Sequence, residues 1–164
     1  MDRRVFIAAA ASAATGAAAI PVHAQAMDGK LMVERFAATL SAHDIPAFSA
    51  LFGDDYINHQ VSAATAAPSG NKSQKQATVG FFAARLAGVP DLNVTIEASV
   101  AQDDMVAASF VYSGTHRGTY FGVQATGRQL RFTSCDIFRL KNGLCVEHWG
   151  MGDIAGVLAQ LRAS

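Results

Sequence analysis

From residue 130 to residue 140 apolar and polar positions alternate with a period of two, so Leu130, Phe132, Ser134, Asp136, Phe138 and Leu140 share one face of a predicted strand. A second alternating run covers 144–149, and Asn142-Gly143 between the two is a strong signal for a two-residue hairpin turn, setting Lys141 opposite Leu144. In that register Trp149 lies across from Asp136, Glu147 across from Phe138, and Cys135 across from Gly150. A turn one residue longer would bring His148 opposite Asp136 instead, and Asn-Gly favours the shorter turn. Two further strands are expected over 92–101 and 105–116, joined at Gln102-Asp103-Asp104, and the Gly-rich link 118–127 reads as an edge-strand continuation with a bulge or bend.

Earlier in the chain the period is helical. One amphipathic helix is expected from near Asp28, with Met32, Val33, Phe36, Ala37 and Leu40 inward. A shorter one is capped by Asp44, with Pro46 in its first turn and Phe48, Leu51 and Phe52 inward, and a short extended piece follows at 55–59. Ser73 and Gln76 form a capping-box pattern for a third helix that carries Val79, Phe82 and Leu86 and stops at Gly88 and Pro90. Asp153 caps a last short helix with Ile154, Val157, Leu158 and Leu161 inward. The polar stretch 60–72 is the one long loop and a candidate lid over a pocket. Helices first and then a long antiparallel sheet make an α+β layout with the helices on one sheet face.

Composition adds an address. Of 164 residues, 51% are hydrophobic and 16% charged, and part of the apolar excess sits in residues 1–26, which read as an export signal. Arg3 and Arg4 precede an Ala-rich run, and Ala24-Gln25-Ala26 offers a small-residue cleavage site. Arg3-Arg4-Val5-Phe6-Ile7 resembles the twin-arginine signal, with Asp2 where Ser or Thr is usual, so a periplasmic or secreted protein is expected. The run is too short for a stable bilayer span, and no later segment is apolar enough for one, so no membrane insertion is expected after cleavage. Residues 27–164 form a single domain. Cleavage removes one acid and two bases from 13 of each, leaving 11 basic and 12 acidic residues scattered singly, a distribution that excludes a nucleic-acid groove. Cys135 and Cys145 lie too far apart along the hairpin for a disulfide, and two free, buried thiols are expected.

Asp136 is the candidate for chemistry. An ionised carboxylate among phenylalanines and leucines is costly unless it finds a cation or keeps a proton, and a group so placed can trade protons with a substrate. His59 ends the piece 55–59 and His116 ends the strand 105–116. Strand ends beside loops are where pockets open, so these three groups are expected to converge for general acid–base work. Trp149 would wall the same space. The four histidines after residue 26 lack metal-site spacing, no Gly-x-Ser-x-Gly elbow is present, and no Gly-rich loop opens a helix, so neither metal, nucleophilic serine nor organic cofactor is implied.

Two stretches carry a resemblance. The first runs from His43-Asp44-Ile45-Pro46-Ala47 through Leu51-Phe52 to Asp54-Asp55-Tyr56-Ile57-Asn58-His59. The second runs from His116-Arg117-Gly118 through Phe121-Gly122, Thr126-Gly127-Arg128, Asp136-Ile137-Phe138-Arg139 and Asn142-Gly143 to Glu147-His148-Trp149 and Asp153, ending at Leu158-Ala159-Gln160-Leu161. With these motifs the chain resembles the SnoaL-like polyketide cyclases, a branch of the nuclear transport factor 2-like superfamily. The resemblance implies a cone-shaped α+β fold, a curved antiparallel sheet with N-terminal helices over its concave face and an interior pocket, and a homodimer. It implies an aldol-type cyclisation or isomerisation of an apolar carbonyl compound, with Asp136 as general acid–base and His59, His116 or Tyr56 donating to the developing oxyanion. Tyr56, Phe121, Phe132, Phe138 and Trp149 would hold the ligand. Gln124-Ala125 departs from the proline turn of that family, and Gly150 stands where many of its members carry Asp. A periplasmic binding protein using the same pocket without catalysis is the alternative.

Overall fold

The computed structural model describes residues 22–60 and 71–163. Among them the order is α1 (Val22–Ser41), α2 (Ile45–Ser49), β1 (Phe52–Asn58), α3 (Gln74–Gly88), β2 (Asn93–Gln102), β3 (Met105–Thr115), β4 (Gln129–Lys141), β5 (Leu144–Gly152) and α4 (Ile154–Arg162). The strands form one curved sheet in the order β1-β5-β4-β3-β2. Helix α1 lies across β2 and β3, α3 packs against β1, and α4 against β4. The candidate lid over 60–72 falls largely outside the described residues. So does most of the expected export segment, although α1 begins at Val22 rather than near Asp28. Among the described residues no helix is long and apolar enough to cross a membrane.

The helix boundaries follow from their caps. The Asp44 carboxylate accepts from the Ala47 N–H at 2.9 Å, and Asp153 accepts from the Gly156 N–H at 2.8 Å. At α3 the capping box is complete, with Ser73 and Gln76 each bonding the other's backbone N–H at 3.2 and 2.9 Å. The expected inward stripe of α1 is wholly buried. Phe36 sits at its centre, 4.9–5.4 Å from the ring centroids of Phe48, Phe82, Phe110 and Phe138. One aromatic cluster therefore ties three helices to two strands.

Three expectations change. The sheet is not wholly antiparallel, because β1 runs parallel to β5. A hairpin link forces reversal of direction, and β1 has none to β5, so side-chain alternation alone left its direction open. The link 118–127 is not an edge strand. It folds onto the end of α3, where Arg117 and Gly118 donate backbone N–H groups to the Gly88 carbonyl at 2.9 and 3.0 Å, and it closes with a single bridge between Tyr120 and Val123. Finally, both cysteines are free, but only Cys145 is buried; Cys135 is exposed, because the alternation that turns Asp136 inward turns its neighbour outward.

Candidate active site

The interior face of β4 is the predicted one: Leu130, Phe132, Ser134, Asp136, Phe138 and Leu140 are all buried. Strand β5 reaches this face by an irregular path. Asn142 and Gly143 take positive φ values of 54° and 76°, the two-residue turn forms, and Lys141 pairs with Leu144 and Leu140 with Cys145 as expected. The next pair is Arg139 with Glu147, leaving Val146 as an extra residue in a β-bulge. The slip of one position sets His148 opposite Phe138, Trp149 opposite Ile137 and Gly150 opposite Asp136. The expectation that Trp149 faces Asp136 therefore gives way, not through the turn but through the bulge.

His148 is brought inward by that slip and pairs with Asp136. Its Nε2–H donates to Asp136 Oδ1 at 2.8 Å, with 5% and 8% of the two side chains exposed. The ring crosses diagonally over Gly150, where a Cβ would stand 2.6 Å from Asp136 Oδ1 and 2.7 Å from the His148 ring. Glycine is required there by contact rather than by backbone torsion. The other carboxylate oxygen accepts from the Ser134 hydroxyl. His148 Nδ1 is buried and has no hydrogen-bond partner among the described residues, so the pair is anchored from one side only.

Aromatic rings close around these groups. Phe138 stacks on His148 with centroids 5.1 Å apart and Tyr112 stacks on Phe132 at 5.0 Å, while Tyr56 lies 6.5 Å from His148. The Tyr112 hydroxyl is 3.3 Å from Ser134 Oγ, and Thr78 reaches the Tyr56 hydroxyl at 3.5 Å. Burial pushes both phenols above the ordinary tyrosine range, so each stays a neutral O–H donor. Arg85 of α3 enters the same interior. Its guanidinium carbon lies 4.7–5.2 Å from the ring centroids of Phe81, Phe82, Tyr112 and Phe132, and Nε donates to the Tyr120 hydroxyl at 2.9 Å. A desolvated cation–π contact of this kind is worth about 2 kcal/mol.

The three titratable groups expected to converge do not meet. His59 lies on the outer side of the sheet, stacked on Trp149 at 4.5 Å and bonded to Glu147 at 2.8 Å, and Glu147 bridges to Arg139 at 2.9 Å. His116 is wholly buried beyond the end of β3, accepting the Thr126 backbone N–H on Nδ1 at 3.2 Å. Asp136 pairs with Ala108, eight residues before His116, roughly 26 Å along an extended strand. Of the expected ligand contacts, Tyr56, Phe132 and Phe138 are interior, Phe121 packs on Tyr120 at the end of α3, and Trp149 faces outward. Sequence reasoning passed over Ser134, Tyr112 and Arg85 as site residues. Arg85 carries the signal that marked Asp136, a charge on an apolar stripe, three residues after Phe82 and one before Leu86.

A carboxylate held by an imidazole and a hydroxyl, beside two neutral phenols, can accept and return a proton while a developing oxyanion is met by O–H donors. The family model for SnoaL-like polyketide cyclase matches residues 30–161. No curated protein matches the chain. Among solved structures, IdmH from Streptomyces antibioticus, assigned as a polyketide cyclase, is 28% identical, with 81% of this chain and 97% of that chain covered at a TM-score of 0.69. TsrD from Streptomyces laurentii is 23% identical, with 84% and 97% covered at 0.70. AclR from Streptomyces galilaeus, assigned as a hydroxylase, is 22% identical, with 82% and 81% covered at 0.71.

Proposed function

The chain belongs to the SnoaL-like polyketide cyclase family, and from that premise we propose that it closes or isomerises an apolar carbonyl compound by acid–base chemistry at Asp136. The family makes it a small-molecule enzyme of the cyclase or isomerase kind. One observation carries the finer reading: Asp136 is a buried carboxylate fixed on both oxygens, by His148 and Ser134, among the rings of Phe138, Tyr112 and Phe132. That environment orients a base without consuming it in an ion pair with Lys or Arg.

In the proposed reaction Asp136 takes a proton from a carbon flanked by carbonyls. The enolate carbon attacks a second carbonyl within the same molecule, a C–C bond forms, and the new alkoxide takes the proton back from Asp136. His148 is a positioning residue that holds Oδ1, and the Tyr112 and Tyr56 hydroxyls are the nearest neutral donors for the oxyanion. Export supports a substrate met outside the cytoplasm, on the basis of Arg3-Arg4 and Ala24-Gln25-Ala26. A homodimer is likewise part of the proposal.

Deuterium uptake at the activated carbon of β-ketoesters and diketones in D₂O tests the proton transfer without the natural substrate. Asp136→Asn, nearly isosteric, should stay folded and lose about 100-fold or more of the uptake rate, the share general acid–base catalysis ordinarily carries. Unchanged uptake in that variant removes the assignment and favours a ligand-binding protein.

A further inference from the structure

Arg85 is 6% exposed and has no carboxylate within ion-pair distance among the described residues. A buried guanidinium ordinarily pairs with an acid, since removing its charge from water is costly. Among the described residues Nε is hydrogen-bonded to Tyr120, and four aromatic rings lie within 5.2 Å of the guanidinium carbon. Apart from an approach to the Tyr112 side chain, the two terminal nitrogens make no hydrogen bond among the described residues, so a buried cation keeps donors to spare. The interior acid is committed elsewhere: Asp136 is bound to His148 and Ser134. A line of hydroxyls separates the two charges, Tyr112 beneath the guanidinium and Ser134 3.3 Å from its oxygen.

We propose that Arg85 is the anchor for a substrate carboxylate, its terminal amino groups gripping the anion while Asp136 works on an activated carbon of the same molecule. The geometry of the guanidinium suits this role, because two parallel N–H donors match the two oxygens of a carboxylate. The rings of Phe81, Phe82, Tyr112 and Phe132 surround the guanidinium at 4.7–5.2 Å and can fix its orientation without using up its N–H donors. The substrate class narrows from apolar carbonyl compounds to aromatic or alicyclic keto acids, with the acid at one end and the acidic C–H at the other. This rests on the acid–base reading for the direction of the substrate, and not for the binding itself.

Equilibrium titration with 1-naphthoate and with the isosteric, uncharged 1-naphthamide tests the anchor. The full-length mature protein should bind naphthoate about tenfold or more tightly than the amide, the margin expected of charge-assisted hydrogen bonds. Arg85→Met should abolish that preference while the amide affinity stays, Arg85→Lys should keep part of it, and Lys75→Met on the surface should leave it intact. Equal affinities, no binding of either probe at millimolar concentration, or a preference that survives Arg85→Met each overturn the proposal. Should Arg85→Met lose its far-UV circular dichroism, the wild-type preference and its reduction in Arg85→Lys decide instead. A naphthoate preference without Asp136-dependent deuterium uptake leaves the anchor standing and sinks the chemistry; uptake without the preference sinks the anchor alone.

Discussion

At the scale of the residue, Asp91 shows how an exposed acid can matter to a buried strand end. Its carboxylate accepts the Thr115 backbone N–H and hydroxyl, each at 2.6 Å, and these bonds hold it below the usual carboxylate range. A depressed folded-state value means the stabilisation is full above the unfolded value of about 4 and disappears as pH falls through the folded one. Asp91→Asn should therefore cost about 1 kcal/mol in urea unfolding at neutral pH, with the gap to wild type closing below about pH 4. Asp136 was legible by the same kind of reading, as an acid out of place on an apolar face. His148 was not selected, because its route to Asp136 depends on the missing side chain of Gly150 and on an extra residue that periodicity does not reveal. Cys145 fits its setting: burial pushes the thiol up to about 12, and it acts as a small apolar filler.

At the scale of the element, caps and turns were readable and strand pairing was only half so. Ser73 with Gln76, Asp44, Asp153 and Asn142-Gly143 each encode a local geometry that needs no distant partner, and each forms as expected. The bulge at Val146 and the parallel edge at β1 answer to tertiary packing, so no window of sequence carries them. Deleting Val146 tests the bulge. The hairpin would then be regular with Glu147 still opposite Arg139 and His148 still opposite Phe138, so the Asp136–His148 pair should survive the deletion. His148 ring signals in NMR that keep their wild-type positions are the expected result; their displacement would mean that the register is set elsewhere than at Val146.

At the scale of the molecule, one core joins helices and sheet through Phe36, so its truncation should be felt everywhere at once. Phe36→Ala is expected to cost about 3–5 kcal/mol, with near-UV and far-UV circular dichroism lost in a single coincident transition. Separate transitions would mean that α1 and the sheet are independent units. The α+β layering was legible because amphipathic helices and alternating strands must cover one another. Ligand chemistry was less so, since the interior groups come from β1, α3, β3, β4 and β5 and meet only in three dimensions. The strand β5 also behaves like a text read in two frames. Glu147 and Trp149 serve the outer cluster with His59 and Arg139, while His148 between them serves Asp136, and a residue inserted before them decides which frame applies. Were Val146 paired in the ladder instead of bulged out of it, the reactive side chains of the two faces would be exchanged without altering the identity of any of them.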